Sequence, residues 1–208
     1  MTLKIYGAPM SRAIRVYWVA EELGLPYESV AIDFKDESPG PLGKANAEFR
    51  GASPMGRVPA IDDGGAKLFE SLAINLYLAR KYGRGLWPAT VEGEGAVYQW
   101  SLFAANELDA TMVEWARNAI VLPEPERDPA KAAAALEKLA KPFTALDEAL
   151  GKSPWLLGQD FTVADLNVSA VMFRAKKMDL STKPNLARWL AACFARPAAK
   201  KAWALRGE

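Results

Sequence analysis

The residues of this chain best placed to do chemistry are hydroxyls and charges, because the usual metal ligands and general bases are missing. There is no histidine and only one cysteine, Cys193. A Ser-His-Asp triad is therefore impossible, a zinc site of Cys and His cannot be assembled, and no disulfide can close within the chain. Cys193 lies in the apolar run Leu190-Ala191-Ala192-Cys193-Phe194 and reads as a small core residue. Ser11 follows the turn Gly7-Ala8-Pro9 and precedes a run with helical spacing. A hydroxyl there, near the positive end of a helix dipole, can donate to an anion or simply cap its own helix. Glu70-Ser71 stands at a second helix start, where a serine and free backbone amides also suit an anion. The plainer reading of that pair is a helix cap with an acidic first turn.

These positions need elements to hold them. Leu3 and Ile5 alternate with polar neighbours and end at Gly7-Ala8-Pro9, which predicts a short strand. Ile14, Tyr17, Trp18 and Leu23 then fall at helical spacing, with Gly24 and Pro26 as the stop. Val30, Ile32 and Phe34 alternate again, so a βαβ unit is expected. Residues 35–57 are rich in Gly, Pro, Asn and Ser and predict an irregular segment with a short helix over 45–50. Two strands, 58–62 and 66–69, flank the hairpin turn Asp63-Gly64-Gly65, and a helix over 71–82 closes at Gly83.

After a linker at residues 84–88, strand signals vanish, so residues 1–83 and 89–208 read as an α/β domain and an all-helical one. An apolar-rich stretch covers 91–122, and Asp128-Pro129 opens a helix carrying Leu136, Leu139, Phe143, Leu146 and Leu150, with Pro142 expected to kink it. Phe161-Thr162-Val163-Ala164-Asp165-Leu166 has the form of a capping box with a hydrophobic staple, a structural device.

Composition narrows the class. Half of the 208 residues are hydrophobic and a quarter charged, as in ordinary globular domains, and no apolar run approaches the roughly 18 residues of a membrane span. Lys plus Arg total 26 against 25 Asp plus Glu, so no excess charge draws the chain to nucleic acid or anionic lipid. No basic stretch leads into a long apolar one after Met1, and a cytoplasmic location is expected.

Ile5-Tyr6-Gly7-Ala8-Pro9-Met10-Ser11, Gly56-Arg57-Val58-Pro59-Ala60-Ile61, Glu70-Ser71-Leu72-Ala73-Ile74 and the cap from Phe161 to Leu166 occur in one order. Together they resemble the cytosolic glutathione transferases, nearest the serine-type theta- and phi-like classes and their bacterial relatives. The resemblance spans nearly the whole chain. It implies a thioredoxin-like N-terminal domain that binds glutathione, an all-α C-terminal domain, no metal, and a homodimer. It implies that Ser11 donates to the glutathione sulfur and favours the thiolate, whose free pKa is about 8.5. Tyr6, near the end of the first strand, is the alternative donor, since other classes use a tyrosine there.

Further roles follow from the same resemblance. Glu70 would pair with the γ-glutamyl ammonium and Ser71 with its carboxylate. A cis Val58-Pro59 bond would leave the Val58 backbone open to pair with the cysteinyl unit as a strand does. Lys44 and Arg57 fall where the family carries basic or amide groups for the glycine carboxylate, although Arg57 departs from the commoner glutamine or lysine, and both also suit a solvated surface. Met10, Met112 and Trp115 are expected in an electrophile pocket, and Met55 at the dimer interface or packed within its own subunit. The implied activity is conjugation of glutathione to hydrophobic electrophiles. Peroxide reduction, dehalogenation or glutathione binding without turnover are the alternatives, and thiol-disulfide exchange lacks its Cys-x-x-Cys.

Overall fold

Leu3–Tyr6 (β1) and Tyr27–Val30 (β2) pair in parallel through the crossover helix α1, Ile14–Glu22. Ala60–Asp63 (β3) and Ala66–Phe69 (β4) complete a four-stranded mixed sheet in the order β2-β1-β3-β4. The structure, a computed structural model, describes residues 2–33 and 35–207. β3 runs antiparallel to both neighbours, with Tyr6 opposite Ala60 and Ile61 opposite Leu68. Gly64 and Gly65 take φ of 64° and 96°, the left-handed pair that a two-residue hairpin requires.

The second strand lies earlier than the alternation of Val30, Ile32 and Phe34 predicts, and Phe34 itself is outside the described residues. β1 offers four residues for parallel pairing, from Leu3 opposite Tyr27 to Tyr6 opposite Val30, and the Gly7 amide takes the Val30 carbonyl at 2.8 Å. Beyond that point β1 has ended, and Asp33 instead makes an isolated parallel bridge with Gly43. Ile32 is still buried, in a cluster with Tyr6, Phe49, Ala52 and Ala60. Its apolar character reports burial beneath α2, Ala47–Ala52, and not membership of the ladder. Asn46 caps α2 by accepting from the Phe49 amide at 2.9 Å, so the helix runs two residues later than the expected 45–50.

α3 occupies Ser71–Tyr82 and ends at Gly83 with φ 66°, as expected. The chain divides into two compact units, Met1–Leu86 with Ala195–Glu208, and Trp87–Phe194. Sequence composition alone assigns the C-terminal residues to the helical domain. They return to the first unit because α9, Pro197–Ala204, packs on α1, with Trp203 edge-on to Trp18 at 6.5 Å between centroids. Arg196 donates twice to Glu22, both at 2.7 Å, and Lys201 meets Glu21 at 2.7 Å.

The second unit is helical throughout its regular elements. The predicted stretch over 91–122 is α4, Val91–Phe103, and α5, Ala110–Ala116, joined and extended by π-helical turns at Ala104–Asp109 and Arg117–Val121. α6, Pro129–Leu150, is capped by Asp128 and remains helical through Pro142. α7, Val163–Val171, is buried along its whole length. α8, Pro184–Ala195, carries Trp189 and the buried Cys193.

Asp165 stands where the capping box places it, accepting from the Thr162 amide at 3.0 Å. It also accepts from the Leu156 amide at 2.9 Å and from the Trp189 indole at 2.8 Å. Burial pushes its carboxyl up, while these donors pull the other way. Among the described residues no helix is long and apolar enough to cross a membrane.

Candidate functional site

The end of β1 sets the geometry. Gly7 has φ 126°, and a Cβ there would lie 2.8 Å from Val58 Cβ and 3.1 Å from Ala13 Cβ, so only glycine lets the strand end, the Val58 loop and the start of α1 meet. Tyr17, buried in α1, donates from its hydroxyl to the Gly7 carbonyl at 2.9 Å and fixes that junction.

Ala8-Pro9-Met10-Ser11 is a β-turn closed by the Ser11 amide on the Ala8 carbonyl at 2.9 Å. The α-helix begins only at Ile14, because residues 11–16 first wind through tighter bonds, Ile14 to Ser11 and Arg15 to Arg12. Ser11 Oγ accepts from the Ala13 amide at 3.1 Å and donates to the Ala8 carbonyl at 2.7 Å. It therefore closes the tight turn ahead of the helix and carries one proton that can be redirected by rotation about χ1. The side chain is half-buried and Met10 beside it is 65% exposed.

Tyr6 is sequestered. It is 1% exposed, packs on Phe49, and donates to Glu48 Oε1 at 2.8 Å. Burial and the Glu48 carboxylate raise its pKa far above the ordinary phenol. Its hydroxyl is committed beneath α2.

The Val58-Pro59 bond is cis, as the resemblance implies, and Val58 packs against the Tyr6 cluster. Ser53 pins the approach to it, accepting from the Arg57 amide at 3.0 Å and donating to the Arg57 carbonyl at 2.7 Å. Arg57 is exposed. Lys44, in the loop before α2, is ion-paired with Glu37, so its charge is partly spent locally.

Glu70 has φ 71° and ψ 109°, a conformation unfavourable for a residue with a Cβ. Such strain persists where the surroundings impose it, and it clusters at binding sites. Here it sets an exposed carboxylate at the N-terminus of α3, whose first amides have no carbonyl of their own helix to bond. Ser71 is buried and its hydroxyl accepts from Arg15 Nη1 at 3.2 Å. Arg15, 5% exposed, was not among the residues singled out from sequence. A lone arginine in an apolar helix gave no signal, because its partner lies 56 residues away. It places a cation between the N-termini of α1 and α3. Ser11, Val58 and Ser71 are thus gathered by two contacts, Gly7 with Val58 and Arg15 with Ser71.

Met112 and Trp115 are core residues of the second unit, 2% and 5% exposed, where helical spacing served packing and not a pocket surface. Met55 is 64% exposed, so it does not pack within its own subunit.

Comparison with known proteins agrees with this architecture. Residues 1–80 match the family model for the glutathione S-transferase N-terminal domain, and residues 108–197 that for the C-terminal domain. The chain is 34% identical to glutathione S-transferase hmp2 of Hypomyces subiculosus, covering 94% of this chain and 95% of that protein. It is 30% identical to glutathione S-transferase 3 of Zea mays, covering 96% and 92%. A solved glutathione S-transferase I from maize, in complex with an atrazine glutathione conjugate, superposes with a TM-score of 0.87 at 30% identity, covering 100% of this chain and 99% of that one. With its thioredoxin-like sheet, its helical second unit and both domain models matched, the chain belongs to the glutathione S-transferase family.

Proposed function

We propose that this glutathione transferase joins the thiolate of glutathione to hydrophobic electrophiles, with Ser11 as the hydroxyl that stabilises the sulfur anion. The observation that carries the reading is the contrast between the two candidate donors. Ser11 holds a redirectable proton in a half-buried turn at a helix start, whereas the Tyr6 hydroxyl is buried on Glu48. The maize relative that holds a glutathione conjugate supports conjugation over peroxide reduction. Met10, exposed beside Ser11, offers apolar surface for the electrophile.

In this reading the γ-glutamyl zwitterion sits at the N-terminus of α3. Glu70 takes its ammonium, and the Ser71 hydroxyl and amide take its carboxylate, with Arg15 adding positive charge behind them. Val58 pairs its backbone with the cysteinyl unit. Arg57 and Lys44 attract the glycine carboxylate, Lys44 after releasing Glu37. Glu70→Ala and Ser71→Ala are each expected to raise the glutathione dissociation constant about tenfold or more, since each removes a hydrogen bond to a charged group of about 1.5–3 kcal/mol. Titration calorimetry tests this, and affinities equal to the parent would remove the zwitterion site.

The chain is proposed to act in the cytoplasm as a homodimer. Met55 projects from the loop before Val58 with its side chain in solvent, and Tyr98 and Leu102 expose a second apolar patch one helical turn apart on α4. A two-fold assembly would bury each such patch twice. Sedimentation at micromolar concentration should show twice the 22.7 kDa chain mass, and Met55→Glu should shift it toward the monomer. A parent protein sedimenting as a monomer would end the dimer reading.

A further inference from the structure

The C-terminal segment reaches the turn that carries Ser11. Arg206 Nη1 donates to the Pro9 carbonyl at 2.9 Å. That oxygen belongs to the Pro9-Met10 peptide, the central peptide of the Ala8 to Ser11 turn. Turns of types I and II differ by a flip of this one peptide, and the flipped form needs positive φ at the third residue. Met10 is not among the described residues with positive φ, so the turn is of the first type. Pro9 favours both types equally, since its fixed φ suits the second position of either. Arg206 captures the carbonyl on the side where the first type points it.

The segment that presents Arg206 is itself held firmly. Arg196 is fastened to Glu22 by two bonds of 2.7 Å, Lys201 reaches Glu21, and Trp203 is 3% exposed against Trp18. The Arg206 guanidinium lies over the Trp203 ring at 5.4 Å, so the stem is braced before the head group meets Pro9. Both ends of the contact therefore have fixed positions, which is what a hydrogen bond needs in order to set geometry and not merely follow it.

We propose that Arg206 is a positioning residue for the Ser11 site: it locks the Pro9-Met10 peptide so that the Ser11 hydroxyl is aimed at the glutathione sulfur. The proposal rests on the reading of Ser11 as the thiolate-stabilising hydroxyl. It also gives the C-terminal segment a part in the chemistry of the first unit that neither composition nor motif suggests.

The test uses the full-length chain, glutathione and an activated aryl chloride, with the bound thiol titrated by the ultraviolet absorbance of its thiolate. Arg206→Ala should raise the bound-thiol pKa by about one unit and lower kcat at neutral pH about five- to tenfold, with KM for glutathione within about twofold. Arg206→Lys, which still offers one charged donor, should keep more than about half of kcat. Arg206→Met keeps the apolar stem against Trp203 and serves the same purpose if the alanine variant does not fold. In a Ser11→Ala background the alanine change at 206 should add nothing, since the two act through one hydroxyl. A bound-thiol pKa equal to the parent, or an effect undiminished without the Ser11 hydroxyl, would overturn the role of Arg206. An unchanged thiol pKa in Ser11→Ala alone would instead overturn the Ser11 reading on which it stands.

Discussion

Ser11→Ala is expected to lower kcat for conjugation about 20- to 100-fold while leaving the glutathione dissociation constant within about threefold. If the bound thiol pKa lies two units below its free value of about 8.5, about 75% is ionised at pH 7, against about 3% without the shift. The thiolate that does form at the higher pKa is the better nucleophile, which returns about six- to tenfold. Against that, the hydroxyl that aims the sulfur is gone, and a misplaced nucleophile costs up to about a hundredfold. Affinity is expected to be spared because, in the proposed reading, the γ-glutamyl end is held at α3 and the glycine carboxylate by Arg57 and Lys44, groups the substitution does not touch. The pH profile carries the sign: activity should be recovered as pH rises toward the free thiol pKa. A profile unshifted from the parent would remove Ser11 from its role.

The largest effect on stability is expected at Asp165. Asp165→Ala would strand the amides of Thr162 and Leu156 and the indole of Trp189, all of which now donate to it. Each orphaned buried donor costs about 1–3 kcal/mol, so a loss of about 4 kcal/mol is expected, a large share of the 5–15 kcal/mol typical of a domain. Asp165→Asn should fall between the two, because its amide group places a donor where one carboxylate oxygen accepts. Urea unfolding of the three proteins measures this. A midpoint shift worth less than about 1 kcal/mol would mean that water or backbone movement satisfies those donors.

Much of this arrangement was legible where a residue's neighbours in sequence are also its neighbours in space. Ser71 with Gly83 bounded α3, Asp128-Pro129 opened α6, and Thr162 with Asp165 announced α7, because caps and stops act over three or four residues. Tertiary demands erased the signal elsewhere. The apolar alternation through Ile32 reported a side chain buried beneath α2, while the strand had already run out of partner. Met112 and Trp115 could not be told from core by spacing, and they are core. Arg15 and Arg206 were invisible because their meaning lies in Ser71 and in the Pro9 carbonyl, distant residues that no local pattern names.

The return of α9 to α1 also bears on how this protein is made. Trp18 waits for Trp203, and Glu22 for Arg196, while all of Trp87–Phe194 is synthesised. At the usual rate of about 5–20 residues per second that interval lasts about 5 to 20 seconds. During it the first unit carries an uncovered apolar helix face on the ribosome, where chaperones have their longest opportunity to bind. The two units cannot then fold strictly in the order of translation. The second is complete before the first has received its final helix.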